Sequence, residues 1–153
     1  MSAPEVVRRL VGAWDTHDPD RLMSCYAPGA LVHPQGPDSP VPAEVWREAV
    51  PTFVGSFPDL RVQLEGSVTE GDRVAAEVRM TGTNTVPLHL GEVDRLLLRT
   101  DAAELPATYA SIDLRWVVVL ELSDGLVTAE RHHWPFVDML CQLGLLPATV
   151  PAS

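Results

Sequence analysis

The chain has 153 residues with 11 basic and 21 acidic side chains, which gives a formal net charge of −10 at pH 7. Its composition, 46% hydrophobic and 21% charged, is typical of one folded domain and argues against a disordered chain. The acidic balance argues against nucleic acid as a partner, because phosphate backbones attract clustered basic side chains. All eleven basic residues are arginine, which excludes chemistry that depends on a lysine Schiff base.

The cysteines and the terminal segments indicate where the protein resides. Cys25 and Cys141 have no CxxC spacing, so we expect free thiols in a reducing cytoplasm. Charged residues interrupt the apolar N-terminal segment, and no uncharged stretch approaches the ~20 residues of a membrane span. We therefore expect a cytoplasmic protein without a signal peptide or membrane contact, with one domain over residues 1–146 and a tail over residues 147–153.

Two helices are predicted at the start of the chain. Ser2 and Glu5 have the spacing of a capping box, and apolar residues then recur at helical spacing, which predicts a helix over residues 4–16. Asp18-Pro19 is a second helix start, and the short helix that follows it ends near Pro28.

A strand and a third helix follow. Residues 30–33 form a possible short strand, and residues 34–42 form a loop rich in proline and glycine. Apolar residues over 45–54 predict a third helix. Pro51 is expected to break or kink it, because proline lacks the N–H of a helical hydrogen bond.

From Asp59 onward, apolar residues alternate with polar ones, which is the period of a β-strand. The pattern predicts a long antiparallel hairpin with a turn at Gly71-Asp72. A second hairpin is predicted over residues 112–134, with a turn at Asp124-Gly125.

The remaining segments allow the fold class to be predicted. Residues 86–108 connect the two hairpins irregularly, with a possible short helix over residues 92–99, and a closing helix over residues 137–143 stops at Gly144. Helices followed by antiparallel strands predict an α+β fold, in which helices cover one face of a single bent sheet. A curved sheet covered in this way encloses a pocket.

Five histidines are the first candidates for acid–base catalysis, because imidazole titrates near neutral pH. His132 and His133 are adjacent on the last predicted strand, so they face opposite sides of the sheet. If Val127 and Ala129 mark the core face, His133 shares that face and His132 does not. We therefore expect His133 to point into the pocket, unless it only hydrogen-bonds a core carbonyl. The two side chains diverge, so they do not predict a metal site.

Three further polar residues are candidates for the site. Asn84 continues the inward register of the preceding strand, where its amide needs a partner such as a pocket ligand, although a turn residue past the strand end has the same pattern. His33 lies where the short strand meets the proline-rich loop, either at the pocket rim or exposed to solvent. Asp138 lies one turn into the closing helix, where it either reaches the pocket or stabilises the helix N-terminus.

The charged and aromatic residues add two further expectations. Asp113 and Arg115 are two residues apart on a strand and face the same side, where they either activate water or form a surface ion pair. The pocket wall is expected to be mostly apolar, although core packing also explains most of the aromatic residues. The candidates for the wall are Trp14, Trp46, Phe53, Phe57, Met80, Trp116 and His132.

Several short segments occur in a fixed order along nearly the whole chain. They include Trp14 with His17-Asp18, Phe57-Pro58-Asp59-Leu60, Thr81-Gly82-Thr83-Asn84-Thr85 and Gln142-Leu143-Gly144-Leu145. In order and spacing they resemble the SnoaL-like polyketide cyclases of the nuclear-transport-factor-2-like superfamily. The resemblance implies a cone-shaped, barrel-like α+β fold, with a highly curved antiparallel or mixed sheet covered by three to four helices around an apolar pocket. It also implies homodimers or homotetramers.

The resemblance implies an activity as well. Relatives of known function cyclise polyketide esters by an intramolecular aldol step without a cofactor, and others isomerise steroids, open epoxides or bind ligands. In the cyclases a catalytic aspartate lies nine residues before the glycine of the Gln-Leu-Gly signature, and the residue there is Pro135. His133 or Asp138 takes over the proton transfer, or the cyclase reaction is not performed. The long connection over residues 87–104 is a candidate lid.

Three functions follow as hypotheses. The first is a cofactor-independent cyclase or isomerase of polyketide biosynthesis that acts on an apolar small molecule, with His133 as acid or base and Asn84 and His33 orienting a carbonyl. The second is ring opening and closure of an epoxide or spiroacetal, with the Asp-x-Arg pair or Asp138 activating the nucleophile. The third is a non-catalytic binding or dimerisation module, which the missing aspartate favours.

Overall fold

The computed structural model describes residues 1–34, 40–91 and 101–146. The possible helix over residues 92–99 and the tail over residues 147–153 lie outside this part of the chain. Within the described ranges, every helix is too short or too polar to span a lipid bilayer.

Two helices open the chain, as predicted, but the second ends at Met23 instead of near Pro28, and a strand begins already at Tyr26. The first, α1, spans Ala3–Asp15 and begins at the capping box, in which the backbone N–H of Ser2 donates to the Glu5 carboxylate at 2.6 Å. The second, α2, spans Pro19–Met23 and is capped by Asp18, whose carboxylate accepts a backbone N–H at 2.9 Å. These caps satisfy N–H groups that have no partner within their own helix, which explains where both helices begin.

The predicted third helix is instead a series of short turns. They are α3 (Ala43–Trp46), α4 (Ala49–Thr52) and a 3₁₀ turn (Val54–Ser56). At the break, the backbone N–H of Val50 donates to the Arg47 carbonyl, three residues back, at 3.2 Å. Pro51 has no N–H for the next helical bond, so a continuous helix does not form. The closing helix, α5, spans Phe136–Gln142.

In the described part of the chain, eight strands form two sheets. They are β1 (Tyr26–His33), β2 (Val41–Pro42), β3 (Arg61–Glu70), β4 (Arg73–Thr83), β5 (Leu88–His89), β6 (Glu104–Leu105), β7 (Ser111–Ser123) and β8 (Leu126–His133). The main sheet is curved and has the order β2-β1-β8-β7-β4-β3, while β5 and β6 pair as a separate ribbon. Among the described strand pairs of the main sheet, β1 and β8 are parallel and the others are antiparallel. Its outer strands do not pair with each other, so the sheet is open rather than a closed barrel.

The two predicted hairpins are confirmed. The second turns at Asp124-Gly125 with φ angles of 51° and 75°, which is the geometry of a tight two-residue hairpin turn. Alternation along β4 and β7 places one apolar set on a buried face. The helix α1 packs on β3 and β4, and α5 packs on β7. The buried set includes Val74, Ala76, Val78, Met80, Ile112, Leu114, Val118 and Leu120. The α+β fold with helices over one face of a bent sheet is therefore confirmed.

An irregularity in β8 reverses one prediction. The register of β8 against β7 shifts at Thr128, which has no partner in the pairing of these two strands. Such a β-bulge moves the alternation of side chains by one position. Val127 is buried before the bulge, and Glu130 and His132 are buried after it, while His133 is exposed. The prediction that His133 faces the interior is therefore wrong.

The opposite face of the sheet carries ion pairs. Asp113 accepts two hydrogen bonds from the guanidinium of Arg79, at 2.7 and 2.8 Å, and Arg115 donates to Glu65 at 3.0 Å. The hydrogen bonds from Arg79 lower the pKa of Asp113 below its usual value. Asp113 and Arg115 are therefore surface ion-pair residues, and they do not face the pocket.

Asn84 joins the end of β4 to two neighbouring segments. Its amide nitrogen donates to the carbonyls of Ser56 and Val86, at 3.2 and 2.8 Å. Its amide oxygen accepts the backbone N–H and the hydroxyl of Thr108, at 2.8 and 3.2 Å. The side chain is 2% exposed, which confirms its inward register. The protein itself satisfies the amide, so the expected pocket ligand is not needed as its partner.

We expect Asn84→Ala to lower the free energy of unfolding by about 2–4 kcal/mol, because each buried polar group left without a partner costs about 1–3 kcal/mol. Urea denaturation followed by circular dichroism measures the difference. The matched control is Thr85→Ala at the exposed neighbouring position, which should change stability by less than about 0.5 kcal/mol. Unchanged stability of Asn84→Ala would contradict this structural role.

Candidate active site

A cavity of about 130 Å³, partly open to solvent, lies between the curved sheet and the helices. The β5–β6 ribbon contributes to its wall through Leu88, and Leu90 adds to the wall just after β5. Most of the lining side chains are apolar, and the aromatic ones are Trp14, Trp46, Phe53, Trp116, Trp134 and Phe136. The predicted apolar pocket is therefore present.

Aromatic rings pack edge to face around this cavity. The ring centroids of Trp116 and Trp134 are 4.8 Å apart at an interplanar angle of 72°, and those of Trp14 and Trp46 are 5.6 Å apart at 69°. The imidazole of His132 packs against Trp46 at 5.2 Å. These contacts fix the orientation of each ring and give the cavity flat, apolar walls.

His132 is the one ionisable side chain among the described residues that line the cavity. Its side chain is almost fully buried. Trp116 donates its indole N–H to Nδ1 of His132 at 3.2 Å. Because an indole nitrogen only donates, Nδ1 is unprotonated, and the neutral imidazole carries its proton on Nε2.

Glu130 lies on the same face of β8 as His132 and is 1% exposed. Its Oε1 atom is 2.6 Å from Nε2 of His132. The Nε2–H group is poorly aligned with that oxygen for a hydrogen bond, so the contact is mainly electrostatic. The hydroxyl of Tyr26, from β1, donates to the other carboxylate oxygen, Oε2. Four side chains thus form one chain of polar contacts from β1 through β8 to Trp116 on β7.

Tyr26 stabilises the carboxylate of Glu130 as a hydrogen-bond donor. Burial raises the pKa of Tyr26 well above that of an exposed tyrosine, the negative charge of Glu130 raises it further, and the nearby indole of Trp46 opposes the rise. The indole N–H of Trp46 is buried and makes no hydrogen bond of acceptable geometry. Tyr26 therefore stays protonated at neutral pH, as a buried carboxylate requires of its donors.

A carboxylate beside one imidazole nitrogen leaves the other nitrogen as the base. In a Ser-His-Asp triad the carboxylate orients the ring and stabilises the imidazolium that forms when the opposite nitrogen takes a proton. Glu130 has the corresponding position at Nε2, which leaves Nδ1 of His132 as the basic atom. The arrangement fits general base catalysis in which a substrate proton displaces the hydrogen bond from Trp116.

Most of the residues predicted for the pocket wall do line the cavity. They are Trp14, Trp46, Phe53, Met80, Trp116 and His132. Phe57 is fully buried but is not on the wall. Its ring centroid is 5.4 Å from that of Phe53, so Phe57 packs behind the wall and supports it.

The residues predicted as catalytic lie elsewhere. His133 is exposed, and Asp138 is exposed on α5, where it accepts a hydrogen bond from Gln142 at 3.3 Å. His33 is half-buried at the end of β1, one residue before Pro34, which does line the cavity. None of these three side chains, nor that of Asn84, is part of the cavity wall. Their contact with a pocket ligand therefore stays a prediction.

The sequence pattern did not single out Glu130 or Tyr26. Alternation counted from the start of β8 puts Glu130 on the outer face, and no distinctive residue type marks the bulge at Thr128. One signal was available. Trp134 shares the alternation of Glu130 and His132, and a tryptophan is highly buried on average, which favours that face as the inner one.

The described part of the chain holds no group of three or more His, Cys, Asp or Glu side chains placed to bind a metal ion. Glu130 and His132 are close together, but their other near partners are Tyr26 and Trp116. An indole N–H has no lone pair to offer a metal.

We expect Tyr26 to ionise only when the protein unfolds. The chain has two tyrosines, so a Tyr109→Phe background leaves Tyr26 as the one source of tyrosinate absorbance, and Tyr109 is exposed. Because folding raises the pKa of Tyr26, its contribution to stability is present below the pKa of an unfolded tyrosine, about 10, and is lost as pH rises through the folded pKa.

An alkaline titration checks this expectation. Tyrosinate absorbance and the loss of far-ultraviolet circular dichroism should appear together. Tyrosinate absorbance in a chain that is still folded would contradict the buried hydrogen bond between Tyr26 and Glu130.

Solved structures share this fold at low sequence identity. IdmH from Streptomyces antibioticus, a candidate polyketide cyclase, superposes with a TM-score of 0.75 and 22% identity, over 94% of this chain and 99% of that chain. AclR from Streptomyces galilaeus, a candidate hydroxylase, gives 0.75 and 21%, over 97% and 83%. SalBIII, an epoxide hydrolase/cyclase-like enzyme with a role in pyran ring formation in the polyether salinomycin, gives 0.65 and 17%, over 88% and 92%. At these identities the likeness shows the fold alone.

Comparison of the sequence with family models shows the family to which the chain belongs. No curated protein matches the sequence. The family model for the SnoaL-like domain matches residues 7–130, a range that includes most of the cavity wall and the buried Glu130 but ends before His132. Because this match covers most of the chain, the protein belongs to the family of SnoaL-like domains.

Proposed function

We propose that this protein is a cofactor-independent enzyme of the polyketide cyclase type, which transfers protons on an apolar substrate with His132 as its general base. The observation that carries the proposal is the buried Glu130–His132 pair at the wall of an otherwise apolar cavity. A buried carboxylate beside a neutral imidazole does not add to stability by itself, because removal of the negative charge from water costs free energy. An apolar pocket with a few convergent polar groups is typical of a binding or active site.

The proposed reaction begins at a carbon next to a carbonyl. The proton of that carbon moves to Nδ1 of His132, and its electron pair passes into the enolate, whose oxygen becomes negative. Glu130 stabilises the imidazolium through its contact with Nε2. The enolate carbon then attacks a second carbonyl of the same substrate, and the new alkoxide takes the proton back from Nδ1. A ring closes with no net gain or loss of atoms.

The family and the fold support this type of reaction. The chain belongs to the SnoaL-like family, and IdmH, a candidate polyketide cyclase, has the same fold. Pro135 occupies the position at which the resemblance places the aspartate of the cyclases. His132 lies three residues earlier, so an ionisable group still stands at the end of β8, on the side that faces the cavity.

Ring opening and closure of an epoxide or spiroacetal is the second candidate, because SalBIII, named as an epoxide hydrolase/cyclase-like enzyme, has the same fold. In this chain the reaction depends on the same cavity, since Asp113 and Asp138 are not on its wall. His132 would remove the proton of the attacking hydroxyl and return it to the ring oxygen that leaves.

Deuterium incorporation tests the proton transfer directly. The probe is 1-phenylpropan-2-one in D₂O, which joins a flat ring to a carbonyl with an acidic neighbouring C–H, and proton NMR follows the exchange. We expect the wild type to accelerate exchange and His132→Gln to lower that rate by about 10²–10⁴-fold, the usual contribution of a general base. Glu130→Gln should also lower it, because an amide does not stabilise the imidazolium.

The matched control is His133→Gln, the same change at the exposed neighbour, which should exchange at the wild-type rate. Circular dichroism establishes that each variant is folded. Exchange no faster than in buffer, or folded His132→Gln as fast as the wild type, would exclude His132 as the base and favour a non-catalytic binding module.

The partners remain predictions. The apolar cavity supports an apolar small molecule as the ligand. The homodimer or homotetramer follows from the family resemblance alone, and sedimentation equilibrium of the purified chain measures it.

A further inference from the structure

We propose that Trp116 binds the substrate oxygen on which negative charge develops, and that this contact selects substrates with a carbonyl beside an acidic C–H group. The inference rests on the proposed function, because it concerns the same cavity and the same base. Its starting point is the hydrogen bond of 3.2 Å from the indole N–H of Trp116 to Nδ1 of His132. Both side chains line the cavity, so a ligand there contacts both partners of this bond.

Protonation of His132 ends that hydrogen bond. In the resting state the indole N–H and Nδ1 satisfy each other, one as donor and one as acceptor. Once Nδ1 carries a proton, both groups are donors, and neither has a lone pair for the other. Two donors at this separation do not bond, and a buried donor without a partner is unfavourable. Each of them then requires an acceptor in the cavity.

The substrate supplies the acceptor at the same moment. As the C–H proton moves to Nδ1, its electron pair passes to the carbonyl, whose oxygen becomes an enolate oxygen. The indole N–H of Trp116 is released to donate to this oxygen only when Nδ1 has been protonated. The contact therefore strengthens along the reaction and is weak in the ground state. Contacts of this kind lower the activation barrier instead of only tightening substrate binding.

The other residues of the cavity wall limit which substrates the cavity can bind. The hydroxyl of Thr52, which is on the wall, already donates to the Glu48 carbonyl at 3.0 Å. Among the described lining residues there is no arginine, so a carboxylate gains no ion pair here. A cavity of about 130 Å³ is comparable with the engineered cavity of about 150 Å³ that binds benzene. The cavity therefore suits a flat, uncharged segment of about one ring with one carbonyl oxygen directed at Trp116.

Binding of an acidic phenol tests the oxygen contact, because it passes its proton to Nδ1 and leaves an enolate-like oxygen on a flat ring. The probes are pentafluorophenol and pentafluorotoluene, which has nearly the same shape without the oxygen. Calorimetry gives a dissociation constant for each, and their ratio is the preference for oxygen. We expect the wild type to prefer the phenol and Trp116→Phe to reduce the preference about 3–10-fold, because a hydrogen bond to a charged oxygen is stronger than the neutral bond that it replaces.

Trp134→Phe is the matched control. Trp134 lines the same cavity and packs against Trp116 at 4.8 Å, and the substitution removes the same ring volume. This variant should keep the wild-type preference, although its affinity for both probes changes. A folded Trp116→Phe variant with an unchanged preference would overturn the proposal.

A second measurement needs no folded variant. In the ¹⁵N-labelled wild type, the indole N–H resonance of Trp116 should move further with pentafluorophenol than with pentafluorotoluene. Equal displacement by the two saturating probes would overturn the oxygen contact.

The test separates this inference from the proposed function, because it measures binding and not turnover. If the preference for the phenol depends on Trp116 but no deuterium is incorporated, the oxygen contact is supported and the proposed enzymatic function is overturned. Deuterium incorporation with an unchanged preference in Trp116→Phe overturns the oxygen contact alone.

Discussion

The buried negative charge of Glu130 is the constraint on which the site depends. Removal of a carboxylate from water costs several kcal/mol unless donors replace the lost hydration. The fold brings the hydroxyl of Tyr26 to it from β1 as a hydrogen-bond donor, and it places the imidazole of His132, from β8, 2.6 Å from the other carboxylate oxygen. Tyr26 arrives there because β1 runs parallel to β8, with Tyr26 opposite Val127. The parallel pairing within the main sheet and the stability of the charged site are therefore linked.

The bulge at Thr128 determines which chemistry faces the cavity. Without an extra residue in β8, strict alternation from Val127 would turn Glu130 and His132 outward and bring Arg131 and His133 inward. The irregular register instead buries a carboxylate and an imidazole side by side. Bulges are common beside active sites for this reason, since one added residue re-aims every side chain beyond it.

The apolar wall gives these few polar contacts their strength. Tryptophan and phenylalanine rings enclose the cavity on several sides, and the ion pairs of Asp113 and Arg115 are kept on the opposite face of the sheet. In such low-dielectric surroundings, a hydrogen bond or a charge acts more strongly than it does in water. The carboxylate of Glu130 and the indole N–H of Trp116 are therefore effective although the site contains few polar groups.

The sequence by itself determined the features that depend on neighbouring residues: the capping box at Ser2, the tight turn at Asp124-Gly125, and the alternation that makes Met80 and Trp116 part of the inner face. Each follows from local hydrogen bonding, backbone geometry or side-chain periodicity. Only the tertiary structure determined which residues form the site. The contact between Tyr26 and Glu130 joins residues 104 positions apart, and the inward aim of Glu130 depends on a register shift that arises when β8 pairs with its neighbours. Strand pairing is a long-range property, and the one local indication of which face of β8 becomes the interior is Trp134, which lies just after the strand.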